Sequence, residues 1–238
     1  MGKDHDVPKR ALLRPMVFFL TIGIFCTPPP RLRMDDLPSL INTLITRDTY
    51  RGPLNASGEA AICINGEIHN GTIDIQTGTS GALSASIYGP LGVSIASIRA
   101  DSIEGSLVFD KGTHSFRRNQ KMDSLPYAWG RDLSFDDLTA LLTGGIPDSF
   151  KIVLNSPPDA TQESKKTINL LWKTDNLTIK ASIRKKDKCI EVMEFLCTRQ
   201  MHWSLALSNF KQGFAYKIKV REDDKNYFSI TYEKYRHN

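Results

Sequence analysis

From Ser57 to the C-terminus the apolar residues of this chain recur with a period of two, and that spacing limits the fold more than any other feature. The pairs Ile62/Ile64, Ile73/Ile75, Leu83/Ala85/Ile87, Val93/Ile95, Leu107/Phe109 and His114/Phe116 sit in short runs broken by Gly or Asn-Gly. Asn65-Gly66, Asn70-Gly71 and the stretch Thr77 to Gly81 supply turn residues between them. After residue 165 the alternation sharpens. Ile168/Leu170/Trp172, Leu177/Ile179/Ala181/Ile183, Trp203/Leu205/Leu207, Phe214/Tyr216/Ile218/Val220 and Phe228/Ile230/Tyr232 put bulky groups on one side, while Thr178, Lys180, Ser182, Arg184, Lys217, Lys219 and Arg221 fall on the other. Antiparallel strands, dry on one face and wet on the other, produce this pattern. The runs amount to about eleven strands.

Two helical stripes flank the first strand block. Leu37, Leu40, Ile41, Leu44 and Ile45 follow Asp35-Asp36 at helical spacing, with Pro38 in the first turn and Arg47 near the C-terminal end. Between the blocks, Ser134 and Asp137 form a capping-box start, Leu138, Leu141 and Leu142 form the stripe, and Gly144-Gly145 with Pro147 end it. The expected fold is mainly β (α+β): a curved antiparallel sheet of about eleven strands forming a half-open barrel, with two or three small lid helices on its apolar concave face. Those stripes and strand faces either pack into a filled core or leave a pocket. The aromatics Trp172, Trp203, Phe214 and Tyr216 are candidate pocket liners beside Leu37, Leu40, Ile41, Leu44, Leu138, Leu141 and Leu142.

Ahead of this domain, Lys9, Arg10 and Arg14 precede the apolar run Met16 to Phe25, which as a helix is about 15 Å long and half a bilayer core. Residues 1–25 therefore read as an export signal and not a spanning helix. Cys26 ends the run, and Pro28, Pro29 and Pro30 follow, so residues 26–33 read as a Pro-rich tether before one domain over 34–238. A cysteine at this place resembles a bacterial lipoprotein signal, which implies acylation at Cys26. An ordinary signal peptide or short anchor with Cys26 incidental is the alternative. Cys63, Cys189 and Cys197 remain, as buried small side chains or with one pair, most simply Cys189 with Cys197.

The charge excludes one class of function. Without residues 1–25, four basic (Lys3, Lys9, Arg10, Arg14) and two acidic residues (Asp4, Asp6) leave the totals of 31 and 26, and the rest carries only +3. Nucleic-acid binders rest on a clustered basic surface, so no nucleic-acid partner is expected. The five histidines show no i, i+3 or i+4 pairing, and there is no Gly-x-Ser-x-Gly elbow, P-loop or dinucleotide fingerprint. No enzyme, metal or cofactor is expected.

Two segments carry a resemblance. Ser84–Ala96 reads as strand, Gly-Pro-Leu-Gly turn, strand, and Leu133–Pro147 follows about 40 residues on. In this order, after a lipoprotein-like signal and an amphipathic helix, they resemble the LolB-like outer-membrane receptors of the lipoprotein-localisation-factor (LolA/LolB) superfamily. The resemblance implies an eleven-stranded half-barrel whose cavity takes the acyl chains of lipoproteins or lipids. It also implies a soluble periplasmic carrier as delivering partner and an anchor on the periplasmic face of a bacterial outer membrane. By motif position, Leu91, held between Pro90 and Gly92, is the membrane-insertion turn. From the residues alone, Leu91 either projects or tucks under the sheet rim. An envelope scaffold lipoprotein with the same fold and no transfer role is the alternative function.

Overall fold

The computed structural model describes residues 36–39, 41–42, 53–78, 81–109, 112–118, 120–122, 133–197, 202–211 and 214–237. Cys26, Leu40, Leu44, the segment 1–25 and the tether 26–33 lie outside the described residues.

One antiparallel sheet organises the chain. Its first arm is β1 (Leu54–Ile64), β2 (Glu67–Thr77), β3 (Leu83–Tyr88), β4 (Ser94–Ala100), β5 (Glu104–Phe109) and β6 (Gly112–Arg117). The second is β7 (Ala160–Glu163), β8 (Thr167–Lys173), β9 (Leu177–Arg184), β10 (Cys189–Cys197), β11 (Trp203–Lys211), β12 (Phe214–Arg221) and β13 (Tyr227–His237). The spatial order is β6-β5-β4-β3-β2-β1-β13-β12-β11-β10-β9-β8-β7, so β1 and β13 meet at the centre and the edges β6 and β7 stay apart. The sheet is open, and the chain crosses from one edge to the other through two short helices, α1 (Phe135–Leu142) and α2 (Asp148–Leu154).

Among the described residues there are thirteen strands where the pattern shows eleven, and both additions have a physical reason. All four residues of β7 are exposed, so it has no apolar alternation to read. In β10 a register shift between Ile190 and Val192 breaks the period, leaving Ile190, Met193, Phe195 and Cys197 buried. A third difference falls on β4. Ala96 and Ile98 are its buried pair, whereas Val93 is exposed in the preceding turn and Ile95 is only partly buried. The ladder slips between Ile87 and Tyr88, which moves β4 by one residue relative to the expected face.

The described cysteines are free. Cys189 and Cys197 begin and end a nine-residue strand, about 26 Å apart at 3.3 Å per residue, far beyond the roughly 7 Å limit for a disulfide.

Because the strands alternate in direction, the β1–β2, β3–β4 and β12–β13 turns emerge together at what we term the upper end. Backbone hydrogen bonds from Gly66 N to Lys225 O (3.0 Å) and from Asn65 N to Asn226 Oδ1 (3.0 Å) tie two of them. At the lower end, helical residues 36–39 and 41–42 bring Leu37 into the core and Ile41 against it. Lys188 of the β9–β10 turn donates to Asp36 Oδ2 at 3.2 Å.

The second arm is filled. Its inward residues, among them Ile168, Trp172, Ile179, Phe195, Trp203 and Leu205, are buried. Phe150 of α2 stacks on Phe195 at 4.7 Å between centroids and lies 6.1 Å from Trp203. Beyond α2, the Ser156 carbonyl accepts from Trp172 Nε1 at 2.8 Å. Such aromatic pairs add about 0.5–1.5 kcal/mol each beyond burial.

Candidate functional site

Helix α1 is fixed at both ends. Its capping box is complete: Asp137 N donates to Ser134 Oγ (3.1 Å), and Asp137 Oδ2 accepts from Ser134 N (3.0 Å). The other oxygen of this buried carboxylate accepts from Ser149 N (3.2 Å), joining the start of α1 to the first turn of α2. Asp136 faces Arg118, whose Nε donates to Oδ1 at 2.7 Å. The same guanidinium reaches the carbonyls of Gly81 (2.8 Å) and Asp101 (3.0 Å) in the lower turns β2–β3 and β4–β5.

At the other end of α1, Tyr232 Oη donates to the Leu142 carbonyl and Tyr235 Oη to the Thr143 carbonyl. Two residues three apart on a strand point to opposite faces unless the strand is bulged. Here the β1–β13 register shifts between Ser57 and Gly58, pairing Ala56 with Tyr235 and Gly58 with Tyr232, so both phenols turn inward. Gly58 is required at that shift, since a Cβ there would lie 2.2 Å from the Thr231 carbonyl oxygen. Burial first, and Tyr235 second, push the Tyr232 phenol well above its ordinary pKa, so it stays a neutral donor. Ala215 N of β12 donates to Gly144 O at 2.8 Å just past the helix. Gly144 has φ 76°, the left-handed C-terminal conformation that suits glycine. Thus α1 is a crossbar over the lower end of the concave face, running from the β2–β5 turns to β12–β13.

Above α1 and beside the first arm lies an apolar cleft, part of it open to solvent. Its walls are the inward residues Ile62, Ile73, Ala85, Ile87, Ala96 and Ile98, with Phe109 and Phe228 toward the upper end. Leu138, Leu141 and Leu142 of α1 close the lower end. Trp172 and Trp203 lie outside the cleft, in the filled arm, and Leu37 and Ile41 are not among its lining residues. Phe214 and Tyr216 pack with Tyr235 at 5.2 and 5.6 Å, supporting the α1 clamp and not the cleft wall. Arg118, Tyr232 and Tyr235 position the site without any motif in the sequence. The only signal is the three-residue spacing of two tyrosines in a strand that otherwise alternates.

The β3–β4 turn stands at the upper end, and Pro90–Gly92 form one 3₁₀ turn there. Leu91 is fully exposed, at φ 63°, a left-handed conformation that costs a non-glycine residue about 1–2 kcal/mol. Gly92, at φ 75°, follows, and Val93 beside it is also exposed. The turn is closed by Gly89 N to Val93 O at 2.8 Å, so the leucine is held outward by the backbone.

These parts define an open half-barrel with an apolar internal cleft. No family model matches the sequence, and no curated protein matches it. Among solved structures the chain is similar to a LolA superfamily protein from Nitrosomonas europaea, with a TM-score of 0.51 and 6% identity over 84% of this chain and 92% of that one. It also matches an outer membrane lipoprotein-sorting protein domain from Vibrio parahaemolyticus (TM-score 0.49, 11% identity, 84% and 92%). A DUF1329 family protein from Desulfovibrio piger matches as well (TM-score 0.48, 12% identity, 84% and 91%). At these identities the likeness is one of fold: the curved, open antiparallel sheet is LolA-like.

Proposed function

We propose that this protein is a non-enzymatic envelope lipoprotein that receives acyl chains of lipoproteins or lipids in its cleft and passes them to the outer membrane. In this reading Cys26 carries the anchor, a soluble periplasmic carrier delivers the cargo, and Leu91 is the membrane-contacting turn. The supporting observation is the placement of two features at one end of the sheet: the cleft runs toward the upper end, and Leu91 projects there with no protein packed on it. An outward leucine held in a left-handed turn gains about 1.5–3 kcal/mol when it enters an apolar phase, which a bilayer supplies and water does not. The fold likeness to a LolA superfamily protein agrees with a hydrophobic cargo.

The test takes protein purified without detergent. Organic extraction followed by mass spectrometry should recover acyl lipid or lipopeptide, and an empty extract favours the scaffold alternative. Leu91→Glu should retain the bound lipid and the wild-type unfolding midpoint, yet leave labelled cargo untransferred to vesicles. Unaltered transfer would remove the turn from the mechanism.

A further inference from the structure

The concave face is far larger than the cleft. Five inward positions of the second arm, Trp172, Phe195, Trp203, Ile168 and Leu205, are almost inaccessible, and Phe150 of α2 packs on two of them, Phe195 and Trp203. Nothing in that arm between β8 and β11 lines the cleft. The lower end is shut by α1, which five separate contacts hold down: the Arg118–Asp136 pair, the Asp137–Ser149 bond, two tyrosine hydroxyls and the Ala215–Gly144 bond. The remaining space is bounded on one side by β1–β5, below by the leucines of α1, and on the other side by Val220 and Phe228. The space left between these walls is narrow and lined almost wholly by apolar side chains.

We infer that the cleft takes one hydrocarbon chain at a time, threaded end-on from the upper end with its methyl terminus against Leu138, Leu141 and Leu142, and that it discriminates against ligands whose chains must enter side by side. This deepens the acyl-binding reading proposed above and rests on it. The lengths agree. A six-residue strand such as β5 spans about 20 Å. An acyl chain crossing one leaflet needs about half of the 30 Å hydrocarbon core. Anchoring α1 at both ends fixes the depth of the cleft, so chain length has a defined limit. The polar end of the ligand then stays at the upper end beside the Asn226 and Tyr227 strand start, and the cleft itself needs no charged partner for it.

The full chain is titrated calorimetrically with two probes that share a headgroup and a total of twelve acyl carbons, both below their micelle-forming concentrations. Dodecanoyl-lysophosphatidylcholine has one chain and dihexanoyl-phosphatidylcholine has two. We expect the one-chain probe to bind at least tenfold more tightly, at one per protein. Within a lysophosphatidylcholine series, affinity should rise about fourfold per methylene until the chain meets α1 and then level off. Leu141→Ala deepens the lower end and should move that limit to longer chains. Equal affinity for the two probes, or a limit that Leu141→Ala leaves in place, overturns the single-chain, end-on inference while the acyl-binding reading stands. Failure of both probes to bind overturns the acyl-binding reading itself, and this inference with it.

Discussion

At Tyr232 one phenol joins the central strand to the crossbar helix, and its chemistry makes the joint measurable. The hydroxyl donates to the Leu142 carbonyl at the end of α1, a group with no partner further along the helix. Removing the donor in Tyr232→Phe leaves that buried carbonyl unpaired, at a cost of about 1–3 kcal/mol in urea unfolding. The pH dependence follows from the direction of the shift. The folded phenol ionises well above its ordinary value near 10, because burial disfavours the charged form. Below pH 10 the proton is bound in both states and the group adds no slope. Above pH 10 the unfolded chain releases it first, so stability falls as pH rises toward the folded value. Tyr232→Phe lacks this loss, and the stability gap between the two proteins should narrow from pH 9 to pH 11. A constant gap would mean that the phenol is solvated.

At the scale of elements, α1 depends on attachments that come from elsewhere in the chain. Eight residues make a marginal helix in water, and packing with end contacts must supply what propensity does not. Arg118 is the largest single attachment, since it holds Asp136 and two lower-turn carbonyls at once. Arg118→Met should cost about 1–3 kcal/mol in urea unfolding, and a double-mutant cycle with Asp136→Asn should show coupling of about 0.5 kcal/mol or more. Additive changes would put the pair at the energetically neutral surface level. The start of α1 was legible in the sequence because a capping box is local: Ser134 and Asp137 lie one turn apart. So were the strands whose alternation is unbroken, such as β8 and β9. The phenol clamp was not, because it depends on a register shift opposite Gly58, and the shift arises from the pairing of β1 with β13 across some 170 residues of chain. β10 shows no clean period because a register shift against its neighbour β9 breaks it between Ile190 and Val192, and the size of Trp172 and Trp203 suits them to a filled arm.

The whole molecule is built asymmetrically about the β1–β13 seam: Phe150 of α2 packs on Phe195 and Trp203 in one arm, and the inward residues of the other line the cleft. The β7 edge is protected. β7 is only four exposed residues, its Glu163 paired with Lys185 of the β9–β10 turn, and short polar edges resist pairing with other chains. A cleft lining loses dispersion contacts that a filled core keeps, so the two arms should differ in local stability even though they share one sheet. Native-state hydrogen exchange on lipid-free protein should therefore give lower opening free energies for β3–β5 than for β9–β12. Saturation with dodecanoyl-lysophosphatidylcholine at a hundred times its dissociation constant should raise the first set by up to about 2.7 kcal/mol, because the ligand stabilises only states in which the cleft exists. The second arm, already packed, should gain only where its opening is global. Equal protection in both arms before lipid is added would show that the empty space costs the fold nothing, and the cleft would then be an incidental gap and not a site kept open against the tendency of a sheet to fill its own concave face.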